Sequence, residues 1–222
     1  MVNKTIITDC HTVCLVGGAA ASPALISAIN KRVDALVAVD GGADTLLQAG
    51  LTPRAVIGDL DSLSQTARKS FAGQLWHIPE QSSTDFEKAL SRIDAQVVIA
   101  LGFTGGRLDH QLSVLSVMLG YAPRHLFLVD EHDVSTFLPL GETTMNLPKG
   151  TRVSVTPIAA ATVSIAGVQW PFEDQLMEMA GFTSPSNAAL GGRVTLTSNA
   201  PVLLTLPQEF LPTLLQAVVP ER

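Results

Sequence analysis

Short aliphatic runs followed closely by glycine and aspartate constrain this chain more than any other feature. Residues 35–39 run into Asp40-Gly41-Gly42, and residues 55–57 into Gly58-Asp59-Leu60-Asp61-Ser62. Residues 97–101 lead to Gly105-Gly106-Arg107-Leu108-Asp109-His110. A strand buried on both faces of a parallel sheet reads as an unbroken apolar run of this kind. Residues just after such a run lie at the carboxyl edge of the sheet, where α/β proteins bind ligands. Only 15% of the 222 residues are charged, yet many carboxylates gather on that one rim. Crowded carboxylates repel, and a hard cation carrying phosphates is the usual compensation.

Between the runs the pattern is helical. Ser22-Pro23 supplies an N-cap and a first-turn proline for a helix to residue 31. Residues 43–48 form a short helix stopped by Gly50, and a polar helix spans 64–71. Thr84-Asp85-Phe86-Glu87 is a capping box opening a helix to residue 93. Leu108, Leu112, Leu115 and Leu119 mark one face of a helix over 108–119. Strands at 13–16, 36–39, 55–57, 75–78, 97–101 and 126–129 alternate with these helices. A mainly parallel sheet flanked by helices is therefore expected over residues 1–133.

After residue 133 the helical periodicity fades. Short β-rich runs stand at 134–138, 142–147, 152–157, 162–165, 193–198 and 202–206. Turns such as Pro148-Lys149-Gly150 and Ser198-Asn199-Ala200 separate them. An all-β antiparallel sandwich-like domain is expected over 134–222. Within it, 172–179 reads as a short helix or an irregular excursion.

Bulk properties exclude several classes. A net charge of −6 argues against a nucleic-acid partner, which would call for a basic surface. No run of ~18 apolar residues predicts a membrane span, and the N-terminus does not read as a signal peptide. Two cysteines, Cys10 and Cys14, are too few for a disulfide framework and suit the reducing cytoplasm. The phosphate-binding Gly-x-x-x-x-Gly-Lys-Ser/Thr, the dinucleotide Gly-x-Gly-x-x-Gly and the Gly-x-Ser-x-Gly elbow are all missing.

The clusters carry chemistry in several ways. On an extended segment Asp59 and Asp61 point to the same side and can share one Mg²⁺. A plain turn also explains them, and an Asp-x-Asp pair equally suits a glycosyltransferase or a phosphohydrolase. Asp40-Gly41-Gly42 either admits a ligand close to the backbone or makes a strand-to-helix turn. The helix start beyond Gly105-Gly106 exposes N–H groups that favour phosphate, and Arg107 adds a fork of donors. Asp109 can cap that helix, bind metal or orient a substrate, while His110 reads mainly as structural. Thr84, Asp85 and Glu87 are explained by capping, and Lys88 by solvation. Trp170 is either core or a platform for a heteroaromatic ring.

Taken in order, these clusters resemble the thiamine pyrophosphokinase family. The resemblance is strongest from Val37 to Leu112. It rests on Asp40-Gly41-Gly42-Ala43, Gly58-Asp59-Leu60-Asp61-Ser62, Thr84-Asp85-Phe86-Glu87-Lys88-Ala89-Leu90 and the segment 102–110. Gly167-Val168-Gln169-Trp170-Pro171 and Ser184-Pro185-Ser186-Asn187 resemble the family's two substrate loops. The resemblance implies Mg²⁺-dependent transfer of the diphosphate of ATP to the hydroxyl of thiamine, releasing AMP. It implies a homodimer whose site lies between the α/β domain of one chain and the β domain of the other. By the same analogy Asp59, Asp61 and Asp85 would hold metal, and Asp109 would complete the catalytic carboxylates. Asp40 would lie near the ATP or the metal, Gly41, Lys88 and Arg107 would face ATP, and Trp170, Ser186 and Asn187 would face thiamine. One departure stands out. Family members usually carry Asp-x-Asp before the Thr-Asp pair, where this chain has Glu80-Gln81-Ser82. Glu80 can replace a carboxylate and Ser82 cannot, which implies one acidic ligand fewer.

Overall fold

In the computed structural model, which describes residues 4–121 and 124–220, the aliphatic runs are buried strands. They are β1 (Thr12–Val16), β2 (Ala35–Val39), β3 (Ala55–Gly58), β4 (Leu75–His77), β5 (Val97–Leu101) and β6 (His125–Val129). Every residue of β2, β3 and β5 is buried, as expected of central parallel strands. They pair parallel in the order β6-β5-β1-β2-β3-β4.

The helices begin where their caps place them. The Ser22 hydroxyl accepts from Leu25 N–H ahead of α1 (Pro23–Asn30), and Ser64 accepts from Ala67 N–H ahead of α3 (Gln65–Ser70). Thr84 accepts from Glu87 N–H ahead of α4 (Asp85–Leu90). Between α1 and α3 lies α2 (Gly42–Gln48), and α5 (Leu108–Gly120) comes after β5. Helix α4 stops at Leu90, short of the expected residue 93, in tight turns from Arg92 N–H to Ala89 O and from Ile93 N–H to Leu90 O. The Arg92 carbonyl then accepts Ile6 and Ile7 N–H.

One helix face departs from expectation. Helix α5 forms, but it buries Val114 and Met118, whereas Leu108 and Leu112 are 68% and 56% exposed. Its apolar residues nearly encircle the helix, so periodicity alone has little contrast with which to choose a side.

The residues up to Glu131 form one compact unit and those from His132 a second. The second unit holds β7 (Asp133–Phe137), β8 (Gly141–Leu147), β9 (Arg152–Pro157), β10 (Ala161–Ala166), β11 (Phe172–Met177), β12 (Ser184–Ala188), β13 (Gly192–Ser198) and β14 (Val202–Pro207). They make two antiparallel arrays, β12-β9-β14-β7 and β11-β10-β13-β8. Strands β8, β10 and β13 alternate buried and accessible residues, the signature of a sheet with one face packed.

Three elements here differ from the sequence reading. Residues 172–177 are strand β11, paired antiparallel with β10, and not a helix. The Ser-Pro-Ser-Asn segment is strand β12, paired with β9. The unit also ends in a single 3-10 turn (Gln208–Phe210) and helix α6 (Leu211–Val218), which packs on β8 and buries Leu211, Leu214 and Val218. Pro212 obscures that helix in the sequence, yet a proline in the first turn gives up only an N–H that would have no helical partner. Among the described residues no helix is long and apolar enough to cross a membrane.

Candidate active site

Two non-glycine residues in the left-handed region stand where β2 and β3 end: Asp40 at φ 45° and Leu60 at φ 64°. Such strain persists only where the surroundings impose it. At Asp40 the cause is local packing. The Asp40 N–H donates to Ile57 O, and its carbonyl accepts from Ala43 N–H at the start of α2. That start is pressed against β1, since a Cβ on Gly42 would fall 1.8 Å from Val16 O. The bareness of Gly42 therefore admits the chain's own backbone.

Leu60 is 3% exposed, and Arg68 of α3 donates to its carbonyl at 2.7 Å. Anchoring Leu60 on both counts leaves the flanking Asp59 and Asp61 side chains to converge. Oxygens of Asp40, Asp59 and Asp61 all lie within 4.8 Å of one another, the one such group of acidic, His or Cys side chains among the described residues. Asp61 N–H donates to Asp59 Oδ1 at 3.3 Å, and Ser62 Oγ donates to Asp61 Oδ1 at 3.0 Å.

Helix α4 supplies the next layer. Asp85 Oδ1 accepts from Asp59 N–H at 3.3 Å. One turn on, Lys88 Nζ lies 3.0 Å from Asp85 Oδ1 and 3.6 Å from Asp59 Oδ2. The Gln81 amide donates to Asp59 Oδ2 at 3.1 Å. That bond leads in holding the Asp59 carboxyl below the usual carboxylate range, with Lys88 adding to it. Asp40 moves the other way: burial raises its pKa, the Ser62 hydroxyl partly offsets this, and the charge of Asp85 adds to the rise. Among the described residues Asp40 Oδ1 is buried without a hydrogen-bond partner.

Glu80 takes a role not foreseen. Its carboxylate accepts the backbone N–H and the hydroxyl of both Ser82 and Ser83, which brings its pKa down to about 2. Ser82, standing where the family pattern has a carboxylate, thus helps Glu80 close the loop before α4.

Asp109 lies elsewhere in its interactions. It pairs with Arg107 through both oxygens, at 3.1 and 2.5 Å, and the two side chains are 64% and 71% exposed. The Arg107 hydrogen bonds hold its pKa down. His110 donates its own N–H to Asp109.

In the second unit Trp170 lies between β10 and β11 with 57% of its surface exposed. Asn187 of β12, 3% exposed, accepts from Trp170 N–H at 3.1 Å and donates to Trp170 O at 2.7 Å. Its Oδ1 also accepts from Ala188 N–H. Asn187 therefore grips the backbone of the tryptophan, while Ser186 beside it is exposed.

Two family profiles match, "Thiamin pyrophosphokinase, catalytic domain" over residues 26–128 and "Thiamin pyrophosphokinase, vitamin B1 binding domain" over residues 137–203. The chain belongs to the thiamin pyrophosphokinase family. The family is one of ATP-dependent diphosphotransferases. A Caenorhabditis elegans thiamin pyrophosphokinase is 24% identical over 209 residues, 82% of this chain and 86% of the relative. A Bacillus subtilis thiamine pyrophosphokinase is 25% identical over 182 residues, 77% and 85% of the two. The same fold is seen in the Candida albicans enzyme, with a TM-score of 0.79 at 16% identity over 89% of each chain. The Geobacillus thermodenitrificans structure gives a TM-score of 0.75 at 26% identity, covering 89% of this chain and 97% of that one.

Family membership fits what the first unit assembles. The carboxylates of Asp59 and Asp61 meet that of Asp40, for which a place near the nucleotide or the metal was expected, while Asp85 joins them through the Asp59 N–H. Arg68, Gln81 and the Glu80 turn escape sequence reasoning, because each acts on a residue distant in sequence or on backbone.

Proposed function

We propose that the chain transfers the diphosphate of ATP to the hydroxyl of thiamine, giving thiamine diphosphate and AMP. One observation carries this reading: Asp40, whose buried Oδ1 has no partner among the described residues, shares with Asp59 and Asp61 a group of carboxylate oxygens all within 4.8 Å. A buried carboxylate oxygen without a donor is costly and calls for a cation. The donor set is all oxygen and rigidly placed, which fits Mg²⁺. Asp59, Asp61 and Asp85 would hold it, with Asp40 beside them. When bound, Mg²⁺ neutralises phosphate charge and polarises the phosphorus under attack.

The chain's own groups do the rest. Gly41 offers backbone to the nucleotide beside Asp40. Arg107, exposed and paired only at the surface, exchanges Asp109 for a phosphate oxygen. Asp109 or Asp85 orients the thiamine hydroxyl and takes its proton. Trp170 offers its exposed face to the pyrimidine ring, Ser186 offers a hydroxyl, and Asn187 keeps the tryptophan in place.

The working unit in this reading is a homodimer with the site at the subunit interface. The exposure of Trp170, Leu176, Met179, Phe182 and Leu190 in the second unit supports it. Cytoplasmic residence is supported by Cys10 and Cys14, both free and buried. The deciding experiment is incubation with ATP, Mg²⁺ and thiamine, with nucleotides and thiamine esters resolved afterwards. AMP and thiamine diphosphate in equal amounts are expected. ADP with thiamine monophosphate would overturn the reading.

A further inference from the structure

Lys88 lies behind the carboxylates rather than in front of them. It is 2% exposed and among the largest fully buried side chains of the described residues. The neighbouring Phe86, Ala89 and Leu90 of α4 are buried with it. Its ammonium reaches Asp85 and Asp59, whose side chains are 31% and 16% exposed. Solvent, and any ligand arriving from it, meets the acids before the ammonium. A lysine is almost never this buried unless paired. Turning it outward to a phosphate would strip Asp59 and Asp85 of their cation, and breaking a buried pair is strongly unfavourable.

We propose that Lys88 is the resting counter-ion of the acidic cluster, a positioning residue that holds Asp59 and Asp85 and competes with the divalent cation. This rests on the reading of Asp59 and Asp61 as metal ligands. A divalent ion settling on Asp59 must sit beside a fixed positive charge that cannot withdraw, and that repulsion weakens binding of the bare ion. The phosphates of a nucleotide bring negative charge that offsets it. The site therefore takes its metal together with the nucleotide and holds free metal poorly. Asp40 fits this picture: Lys88 satisfies Asp59 and Asp85, and among the described residues Asp40 Oδ1 stays without a partner.

The sign of one measurement separates this from a scaffolding role. Mn²⁺ binding to the full chain, read by the electron paramagnetic resonance of free Mn²⁺, needs no turnover. Without nucleotide, Lys88→Met is expected to bind Mn²⁺ about tenfold or more tightly than the unchanged protein, since a competing charge has gone. Lys88→Arg keeps the charge and stays near the unchanged protein. If Lys88 merely props the carboxylates in place, Lys88→Met binds Mn²⁺ more weakly, and the proposal is wrong. Equal binding also overturns it.

Should Lys88→Met fail to fold, the unchanged protein decides alone. Its Mn²⁺ affinity must rise about tenfold or more on adding a non-hydrolysable ATP analogue, after correction for Mn²⁺ held by free analogue. Equal affinity with and without the analogue rejects the idea. Asp59→Asn is the control. Undiminished Mn²⁺ binding there removes the metal site itself and both readings with it. A weakened Asp59→Asn beside an unchanged Lys88→Met removes only the counter-ion.

Discussion

Asp59 and Trp170 each stand just beyond the end of a strand, yet the chain secures them in different ways. At Asp59 the side chain itself is fastened: Oδ1 accepts from Asp61 N–H, and Oδ2 faces Gln81 and Lys88. At Trp170 only the backbone is fastened, by both ends of the Asn187 amide, and the ring is left open. The contrast suits what each site would bind in the proposed function. Carboxylates that are to hold a cation must already be oriented, because reorganising them during reaction raises the barrier. An aromatic platform needs a fixed base and a bare face, since stacking has no single direction to satisfy.

That contrast can be broken at its strongest point first. Asp59→Asn is expected to lower turnover about 10²–10³-fold and to cost far less in stability, since Lys88 loses one carboxylate but keeps Asp85. Steady-state rates at saturating Mg²⁺ together with a thermal melt check it, and full activity would remove Asp59 from the chemistry.

Asn187→Ala comes next and acts in the opposite sense, on stability. It leaves the Trp170 N–H and carbonyl without their partner, so a loss of about 1–3 kcal/mol is expected in urea unfolding. The thiamine KM should rise with it. Unaltered stability would mean that the grip on Trp170 is dispensable.

Trp170→Ala is a smaller change and sharpens the comparison. In the proposed function the ring meets thiamine and not ATP, so the thiamine KM is expected to rise about 3–10-fold with the ATP KM unaltered, in line with about 0.5–1.5 kcal/mol for an aromatic contact. An equal rise in both would make Trp170 structural.

The smallest effect concerns Asp40 and pH. Burial raises its folded pKa, so the fold favours the neutral acid. The stability this contributes is present below the ordinary carboxylate pKa of about 4 and is lost as pH rises through the folded value. Asp40→Asn stays neutral throughout. In metal-free buffer its melting temperature should gain on that of the unchanged protein as pH rises from about 4 to about 7. A constant difference across that range would show Asp40 to be compensated already.

Much of the first unit was legible because its signals are local. Ser22 and Thr84 cap the helices that they were expected to open, and the fully apolar runs became central strands. The misreadings arose where local patterns were silent or ambiguous. Helix α5 carries apolar residues on too many sides, so Leu108 and Leu112 looked like core and are exposed. Residues 172–177 contain Glu173, Asp174 and Gln175, which depress strand propensity, yet pairing with β10 makes them a strand. Lys88 looked like a solvated charge and is buried, since nothing in its helix announces acids arriving from β3.

The amino-acid sequence by itself determined the alternation of strand and helix, the change of grammar near residue 133 and the rim on which the carboxylates stand. These come from hydrophobic period, capping and turn chemistry, which act over a few residues. Only the tertiary structure decided which carboxylates meet. It set Asp40 beside Asp59 and Asp61, put Lys88 behind Asp59, and closed Asn187 on Trp170. Those contacts join residues 17 to 29 positions apart, brought together by parallel pairing of β2 with β3, by the placing of α4 and by β12 joining its sheet. Burial then changes what each charge can do, because an ammonium or carboxylate shielded from water answers to its neighbours rather than to solvent.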